Sequence, residues 1–257
     1  FEQVRDLMLA ARELGFESTN VDLIYGLPRQ TPVSFERTID RIVELRPDRI
    51  ALYAYAHLPQ RFKPQRRIDA NALPPAEAKL RMLSQAIAGF GGQGYDYVGM
   101  DHFALPDDSL AVAKRQGRLH RNFQGYSTQP DCDLVALGVS AIGRIGATYS
   151  QNAKTLPEYY DALRHGQFPV VRGLALTRED LLRRAVIMAL MCQGRLEFES
   201  IELAHLIDMK QHFETELAQL KPLAESGLVL IEPGAIQVTE LGWYFVRAIA
   251  MVFDRHL

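Results

Sequence analysis

The sequence has 257 residues, of which 47% are hydrophobic, with 29 Lys and Arg against 31 Asp and Glu and a formal net charge of -2. A chain of this length can bury the core of one large domain or two ordinary ones, and its balanced charge excludes a global cationic field for nucleic acid. No apolar run approaches the roughly 18 residues that a membrane span requires. The two cysteines, Cys132 and Cys192, lie far apart in apolar neighbourhoods. We therefore expect a cytoplasmic protein with no membrane partner, no disulfide framework and both cysteines in its core.

Helices and strands are predicted to alternate along the first hundred residues. Helical spacing predicts a helix that ends at Gly15, and proline punctuation and apolar runs mark the elements that follow. The predicted elements are a buried strand at 20–26, a helix at 34–45, a buried strand at 49–56, a loop at 57–75, a helix at 76–90 and a third strand within 95–104. This repetition predicts an α/β fold with a parallel sheet, in which chemistry gathers at the carboxyl ends of the strands.

The second half of the sequence has a different character. Residues 105–150 are rich in glycine and are predicted to form long functional loops. Thr177 and Asp180 resemble a capping box that opens a helix to Cys192. A helix at 210–225, a hairpin at 227–239 and a last helix at 241–255 complete a pattern that resembles a winged helix. We predict two domains, 1–168 and 169–257.

Two features of the sequence are candidates for ligand contacts. Asp22 lies inside an otherwise apolar strand, where its carboxylate could accept hydrogen bonds from the vicinal hydroxyls of a ribose, or could instead cap a loop or pair with an arginine. Residues 120–126, HRNFQGY, combine an aromatic ring, an amide and cations. This composition suits the stacking of a flat ring, although a polar loop with one buried aromatic explains it equally well.

Other features of the sequence are less specific. Glycines near Ile142 would let the backbone approach a ligand closely, and tight packing explains them as well. Four cations lie within residues 61–67, which suits an anionic ligand or a solvated loop. His57, His102 and His120 lack the companion residues of a zinc site, so structural or substrate-contact roles are favoured. The sequence also lacks the glycine-rich phosphate-binding motifs and the nucleophile-elbow motif.

Four motifs resemble those of one enzyme family. They are NVDLIYGLPRQT at 20–31, YAHLP at 55–59, GMDHFA at 99–104 and LHRNFQGYSTQ at 119–129. Together they resemble the oxygen-independent coproporphyrinogen III oxidases, and the similarity runs over essentially the whole chain. The first motif is shared with other radical S-adenosylmethionine (SAM) proteins, whereas the last is much more specific.

The resemblance implies a fold and a reaction. The fold would be the C-terminal part of an incomplete radical SAM (β/α) barrel followed by a mostly helical, winged-helix-like domain. The reaction would be the oxidative decarboxylation of two propionates of coproporphyrinogen III to vinyl groups, which gives protoporphyrinogen IX and belongs to haem biosynthesis. The family uses two SAM molecules, a four-iron four-sulfur (4Fe-4S) cluster and an electron donor to that cluster.

The resemblance also implies roles for particular residues. By position, Asp22 and Ala56 match SAM contacts, and Phe123, Gln124 and Ile142 match residues around the SAM pair. No residue of this chain is assigned a catalytic or metal-binding role, because the family's cluster cysteines lie upstream of the matched region. Since Phe1 is not an initiator and already continues a helical pattern, we expect a fragment. We expect it to be inert alone because it lacks the cluster ligands, and we also expect a monomer.

Two other functions are compatible with parts of this sequence. A haem-binding chaperone relative shares the barrel and the cluster, but a tryptophan is expected in its version of the 120s loop, whereas this chain has Phe123 there and its single tryptophan is Trp243. A nucleic-acid-binding winged helix is disfavoured because residues 170–257 carry 9 Lys and Arg against 12 Asp and Glu. The sequence therefore favours the oxidase, with no nucleic-acid partner.

Overall fold

The computed structural model describes residues 1–130 and 132–256, which divide into two compact units. Unit 1 is Phe1–Arg115 and unit 2 is Gln116–Leu257. Each unit has a buried apolar core of its own. The predicted domain boundary at 168/169 falls inside unit 2, so the division into functional domains stays a prediction.

Unit 1 contains the predicted alternation of helices and strands, followed by a short helix that was not predicted. Short 3-10 turns at Lys63–Arg67 and Ala70–Ala72 lie in the predicted loop. The other elements are α1 (Glu2–Glu13), β1 (Asn20–Tyr25), α2 (Pro32–Leu45), β2 (Arg49–Ala54), α3 (Ala76–Gly92), β3 (Asp96–Gly99), β4 (His102–Ala104) and α4 (Ser109–Arg115).

Helix α2 illustrates how local sequence sets these elements. The backbone N–H of Ser34 donates to the Thr31 hydroxyl at 3.1 Å, and the backbone N–H of Thr31 donates to the Ser34 hydroxyl at 2.9 Å. This reciprocal cap satisfies two donors that the first turn leaves free, and Pro32 suits the first helical position because its missing N–H costs nothing there. The helix ends at Arg46, whose φ of 47° is left-handed.

The sheet of unit 1 has the order β1-β2-β4-β3. Strands β1 and β2 are parallel, as predicted, but β4 is antiparallel to both β2 and β3. The predicted third strand is therefore wrong as a single strand and forms a hairpin. The chain reverses at Met100 and Asp101, whose φ values of 46° and 66° are those of a tight two-residue hairpin turn.

Only one face of strand β1 is buried. Leu23 and Tyr25 point into the core with Phe35 of α2 and Phe90 of α3. On the opposite face, Asn20, Asp22 and Ile24 are exposed. The prediction that this strand is buried throughout was wrong, because α2 and α3 cover the same side of the sheet and no element of unit 1 covers the other.

Unit 2 contains helices and small antiparallel sheets. Its elements are β5 (His120–Asn122), β6 (Gly125–Ser127), β7 (Ile142–Ile145), β8 (Thr148–Asn152), α5 (Leu156–Arg164), β9 (Val170–Ala175), α6 (Arg178–Gln193), β10 (Arg195–Glu197), α7 (Phe198–His205), α8 (Met209–His212), α9 (Glu214–Glu225), β11 (Val229–Glu232), β12 (Ala235–Val238), α10 (Glu240–Trp243) and α11 (Val246–Met251). The prediction that 105–150 is irregular was wrong, since short strands with tight turns occupy much of it. No helix of the described residues is both long and apolar enough to cross a membrane.

The last eighty residues show the predicted helices and hairpin. The capping box of Thr177 and Asp180 opens α6, which ends at Gly194 with a φ of 66°. Strand β10 adds to the predicted hairpin and gives the order β10-β12-β11. The helix predicted at 241–255 is interrupted between α10 and α11, and that predicted at 210–225 is interrupted between α8 and α9.

Gly242 packs so tightly that its substitution provides a test of this region. A Cβ added there would collide with the carbonyl oxygen of Leu228, which is backbone and cannot turn away. We expect Gly242→Ala to lower the free energy of unfolding by roughly 2 kcal/mol or more, as overpacking does. Urea unfolding followed by circular dichroism measures this change.

Gly234→Ala is the matched control, because a Cβ at Gly234 would meet nothing within 4 Å. Its urea midpoint should stay close to that of the unsubstituted chain. Equal midpoints for Gly242→Ala and Gly234→Ala would contradict the packing described here.

Candidate functional site

Asp22 lies on the exposed face of β1, opposite Ala51 of β2 in the parallel register. Its Oδ1 accepts a hydrogen bond from Nδ2 of Asn20 at 2.8 Å. No arginine pairs with this carboxylate among the described residues. Asp22 is therefore a solvated acceptor with unused lone pairs, and the arginine-paired alternative is not what the structure contains.

Ala56 is exposed two residues beyond the end of the neighbouring strand β2. The side chain of Gln65 orders this segment, because its Nε2 donates to the Ala56 carbonyl at 3.0 Å and its Oε1 accepts from the backbone N–H of Leu58 at 2.5 Å. Since a carbonyl oxygen has two lone pairs, Ala56 retains one for a ligand. Asp22 and Ala56 thus lie on the adjacent parallel strands of unit 1.

The specific motif of the 120s forms a hairpin in unit 2. Phe123 and Gln124 make the turn between β5 and β6, and both are exposed, Phe123 by 57%. The side chain of Asn122 holds the turn by accepting from the backbone N–H of Gln124 at 2.8 Å. The hydroxyl of Tyr126 donates to the carbonyl of Met191 on α6 at 2.8 Å. The hairpin is therefore anchored to a helix while its aromatic tip stays accessible.

Ile142 begins β7 and is partly buried. The glycine that follows it serves packing, since a Cβ on Gly143 would lie 3.0 Å from the Leu134 carbonyl oxygen and 3.2 Å from Ala136. Tight packing was one of the two explanations that the sequence left open for the glycines here. It accounts for Gly143 without a ligand.

A cavity of about 530 Å³ brings several of these residues together within unit 2. Phe123 and Ile142 line it, whereas Gln124 does not. The predicted site residues Asp22 and Ala56 belong to unit 1. The cavity is large enough to hold a sizeable ligand, and the ring of Phe123 is part of its wall.

Helix α6 contributes one wall of this cavity. This contribution was not predicted, because the helix was assigned to a separate domain. The residues concerned share one helical face and are Arg184, Met188, Met191 and Cys192. Their spacing of four, three and one residues is the signal that could have identified the face.

Among the described residues that line the cavity, arginines outnumber carboxylates. Arg121, Arg144 and Arg184 line it, and Asp133 is the one carboxylate among the described lining residues. Burial raises the pKa of the Cys192 thiol to about 12, and the charges of Arg121 and Arg184 oppose that rise. The two guanidinium groups therefore act on the same part of the wall.

The described residues do not fit a 4Fe-4S cluster. Such clusters are held mainly by cysteine thiolates grouped at one site, whereas this chain has two cysteines far apart in sequence, of which Cys132 is exposed and Cys192 is buried. The prediction that Cys132 is a core residue was wrong. No group of three or more His, Cys, Asp or Glu among the described residues is placed to hold a metal ion.

Comparison with a solved structure defines the class of fold. The chain superposes on the structure described as "Coproporphyrinogen III oxidase (HemN) from Escherichia coli is a Radical SAM enzyme" with a TM-score of 0.96 and 49% identity. The match covers 100% of this chain and 59% of that one. The predicted fold class, an α/β radical SAM fold with a mostly helical, winged-helix-like C-terminal part, is confirmed.

Sequence comparison gives the family. The family described as "HemN C-terminal domain" matches this chain over residues 176–245. The chain is 49% identical over 256 residues to an oxygen-independent coproporphyrinogen III oxidase of Pseudomonas aeruginosa, covering 100% of this chain and 56% of that protein. It is 45% identical over 258 residues to the enzyme of the same name from Thermostichus vulcanus, covering 100% of this chain and 78% of that protein.

The chain belongs to the oxygen-independent coproporphyrinogen III oxidase family. The resemblance predicted from its four motifs is confirmed. The chain spans little more than half of the length of most of the curated relatives that it matches.

The two cysteines offer a test of the cavity wall. Because Cys132 is exposed and Cys192 is buried with a raised pKa, iodoacetamide at pH 8 should alkylate Cys132 in the folded chain and reach Cys192 only after unfolding in urea. Mass spectrometry of tryptic peptides measures both rates. Cys132→Ser and Cys192→Ser assign the signals, and equal rates in the folded chain would contradict the burial of Cys192.

Proposed function

We propose that this chain takes part in the oxygen-independent oxidation of coproporphyrinogen III to protoporphyrinogen IX, a step of haem biosynthesis. The observation that carries the proposal is the 45% identity to the Thermostichus vulcanus oxidase over the whole of this chain and 78% of that protein. The hairpin tip supports the oxidase over the haem-binding chaperone, because Phe123 lies there and the single tryptophan, Trp243, lies in α10.

Two SAM molecules are the proposed cofactors, with contacts at Asp22 and Ala56 in unit 1 and at Phe123, Gln124 and Ile142 in unit 2. The geometry of each unit fits this role. The exposed Asp22 carboxylate can accept from ribose hydroxyls, and the Phe123 ring can stack on a flat base. SAM bound there would supply the radical chemistry that removes hydrogen from a propionate.

The residues of this chain would bind and position rather than react. Asp22 would orient the sugar from the face of β1, while the apolar wall of the cavity would exclude water from a bound ligand. The 4Fe-4S cluster would be held by residues of the relatives' sequence that this chain does not span, and an electron donor would supply electrons to the cluster. We further propose a cytoplasmic monomer without nucleic-acid or membrane partners.

Activity is best tested by joining this chain to the part of the Pseudomonas aeruginosa oxidase that it does not span. We expect the 257-residue chain alone to be inert with SAM, iron, sulfide and reductant, since its described residues offer no cluster site. The joined protein should convert coproporphyrinogen III to protoporphyrinogen IX under anaerobic conditions, as measured by chromatography of the oxidised porphyrins. No turnover by a folded joined protein that carries its cluster would overturn the proposal, whereas turnover by the chain alone would contradict only the expectation that it is inert.

The role of Asp22 is tested in the same joined protein. Asp22→Asn removes the charge of the acceptor but keeps its shape, so SAM binding should weaken roughly tenfold while the far-ultraviolet circular dichroism is unchanged. Calorimetric titration measures the affinity. Asp107→Asn, which changes another exposed carboxylate of unit 1, is the control. Equal SAM affinity in the two variants would contradict the proposed contact.

A further inference from the structure

Arg121 has no acceptor for its guanidinium among the described residues. It lies on β5 opposite Tyr126, and its Cζ is 5.0 Å from the centroid of the Tyr126 ring. Its Nη1 is buried and makes no hydrogen bond. A buried charged donor without an acceptor costs free energy, so its retention in this place calls for a physical reason.

The contact with Tyr126 does not supply that reason. The ring attracts the cation, but it satisfies no N–H group in the plane of the guanidinium. It does fix the position of Arg121, because the Tyr126 hydroxyl is itself bound to the Met191 carbonyl at 2.8 Å. The result is a preorganised cation whose buried Nη1 has no acceptor among the described residues.

No described carboxylate of the cavity wall pairs with Arg121. Arg144 and Arg184 line the same cavity, and the carboxylate of Asp133 is engaged by the backbone N–H of Gly146 at 2.7 Å. Arg121 and Arg184 both lie close enough to Cys192 to influence its thiol. An anionic group in this cavity would meet the guanidinium of Arg121, and the nearby apolar wall would strengthen that attraction.

The rest of the wall indicates what kind of molecule carries the anion. Ile142, Met188, Ala189 and Met191 give apolar surface, and Phe123 presents an aromatic ring. Such a site suits a molecule with a flat apolar body and a carboxylate at its edge. A guanidinium pairs with a carboxylate through two parallel hydrogen bonds, which a planar fork accommodates without rearrangement.

We propose that Arg121 is the carboxylate receptor of the unit 2 cavity. This inference rests on the proposed function, which offers two sources of the carboxylate: a propionate of the tetrapyrrole or the amino-acid carboxylate of SAM. In either case Arg121 is a binding residue that fixes the orientation of the ligand in the cavity, and it needs no partner from the protein because the ligand supplies one.

The test compares ligands that differ only in the carboxylate. The purified chain is titrated calorimetrically with coproporphyrin III and its tetramethyl ester, and with SAM and decarboxylated SAM. Arg121→Met removes the charge and the fork, and Arg121→Lys keeps the charge without the fork. The control is Arg118→Met, because Arg118 is exposed and its hydrogen bonds go to Gln116. Thermal unfolding confirms that each variant is folded.

A propionate source predicts that Arg121→Met weakens coproporphyrin III binding roughly tenfold or more and leaves the ester unchanged. A SAM source predicts the same loss for SAM and no change for decarboxylated SAM. In both cases Arg121→Lys should recover part of the affinity, and Arg118→Met should behave as the unsubstituted chain.

Alkylation of Cys132 locates the ligand, because this exposed thiol lines the cavity. A bound ligand should slow its reaction with iodoacetamide. Binding that is undiminished in Arg121→Met, or that leaves Cys132 unprotected, would overturn the role of Arg121 and leave the proposed function standing. A wild-type chain that binds neither acid would overturn both the receptor and the proposed use of this cavity.

Discussion

Two hydrogen bonds between the 120s hairpin region and helix α6 hold the candidate cavity of unit 2 together. The Tyr126 hydroxyl donates to the Met191 carbonyl, and Nε2 of Gln193 donates to the Leu119 carbonyl, each at 2.8 Å. Both acceptors are backbone carbonyls, so each bond joins a side chain of one segment to the main chain of the other. Because these bonds set the position of α6 against the hairpin, the wall residues of the helix and the aromatic tip of the hairpin border one space.

This arrangement determines the surroundings of the charged residues that line the cavity. An arginine beside an aromatic ring on a surface hairpin would be an ordinary exposed cation, whereas Arg121 has a buried Nη1 and shares a wall with Arg184. A carboxylate bound to Arg121 would supply the acceptor that its Nη1 lacks. The apolar residues of α6 would shield that ion pair from water and so strengthen the attraction.

Unit 1 depends on a different constraint, which is the one-sided burial of its sheet. Helices α2 and α3 pack on one face through Phe35 and Phe90, and the other face of β1 keeps Asp22 in contact with solvent. A carboxylate in this position needs no arginine partner, because water solvates it. It is therefore available to a ligand that approaches the exposed face of the sheet.

The sequence by itself determined the elements whose signals are local. The capping box of α6, the separate strands β1 and β2, and the hairpin at 227–239 follow from side chains within a few residues of one another, and the four motifs identified the family. Only the tertiary structure decided that the predicted third strand folds back at Met100, that short strands fill 105–150, and that α6 lines the same cavity as Phe123 and Ile142. The hairpins are local, but the place of β4 beside β2 and the shared cavity depend on contacts between residues far apart in the chain, such as Arg49 with Ala104 and Tyr126 with Met191.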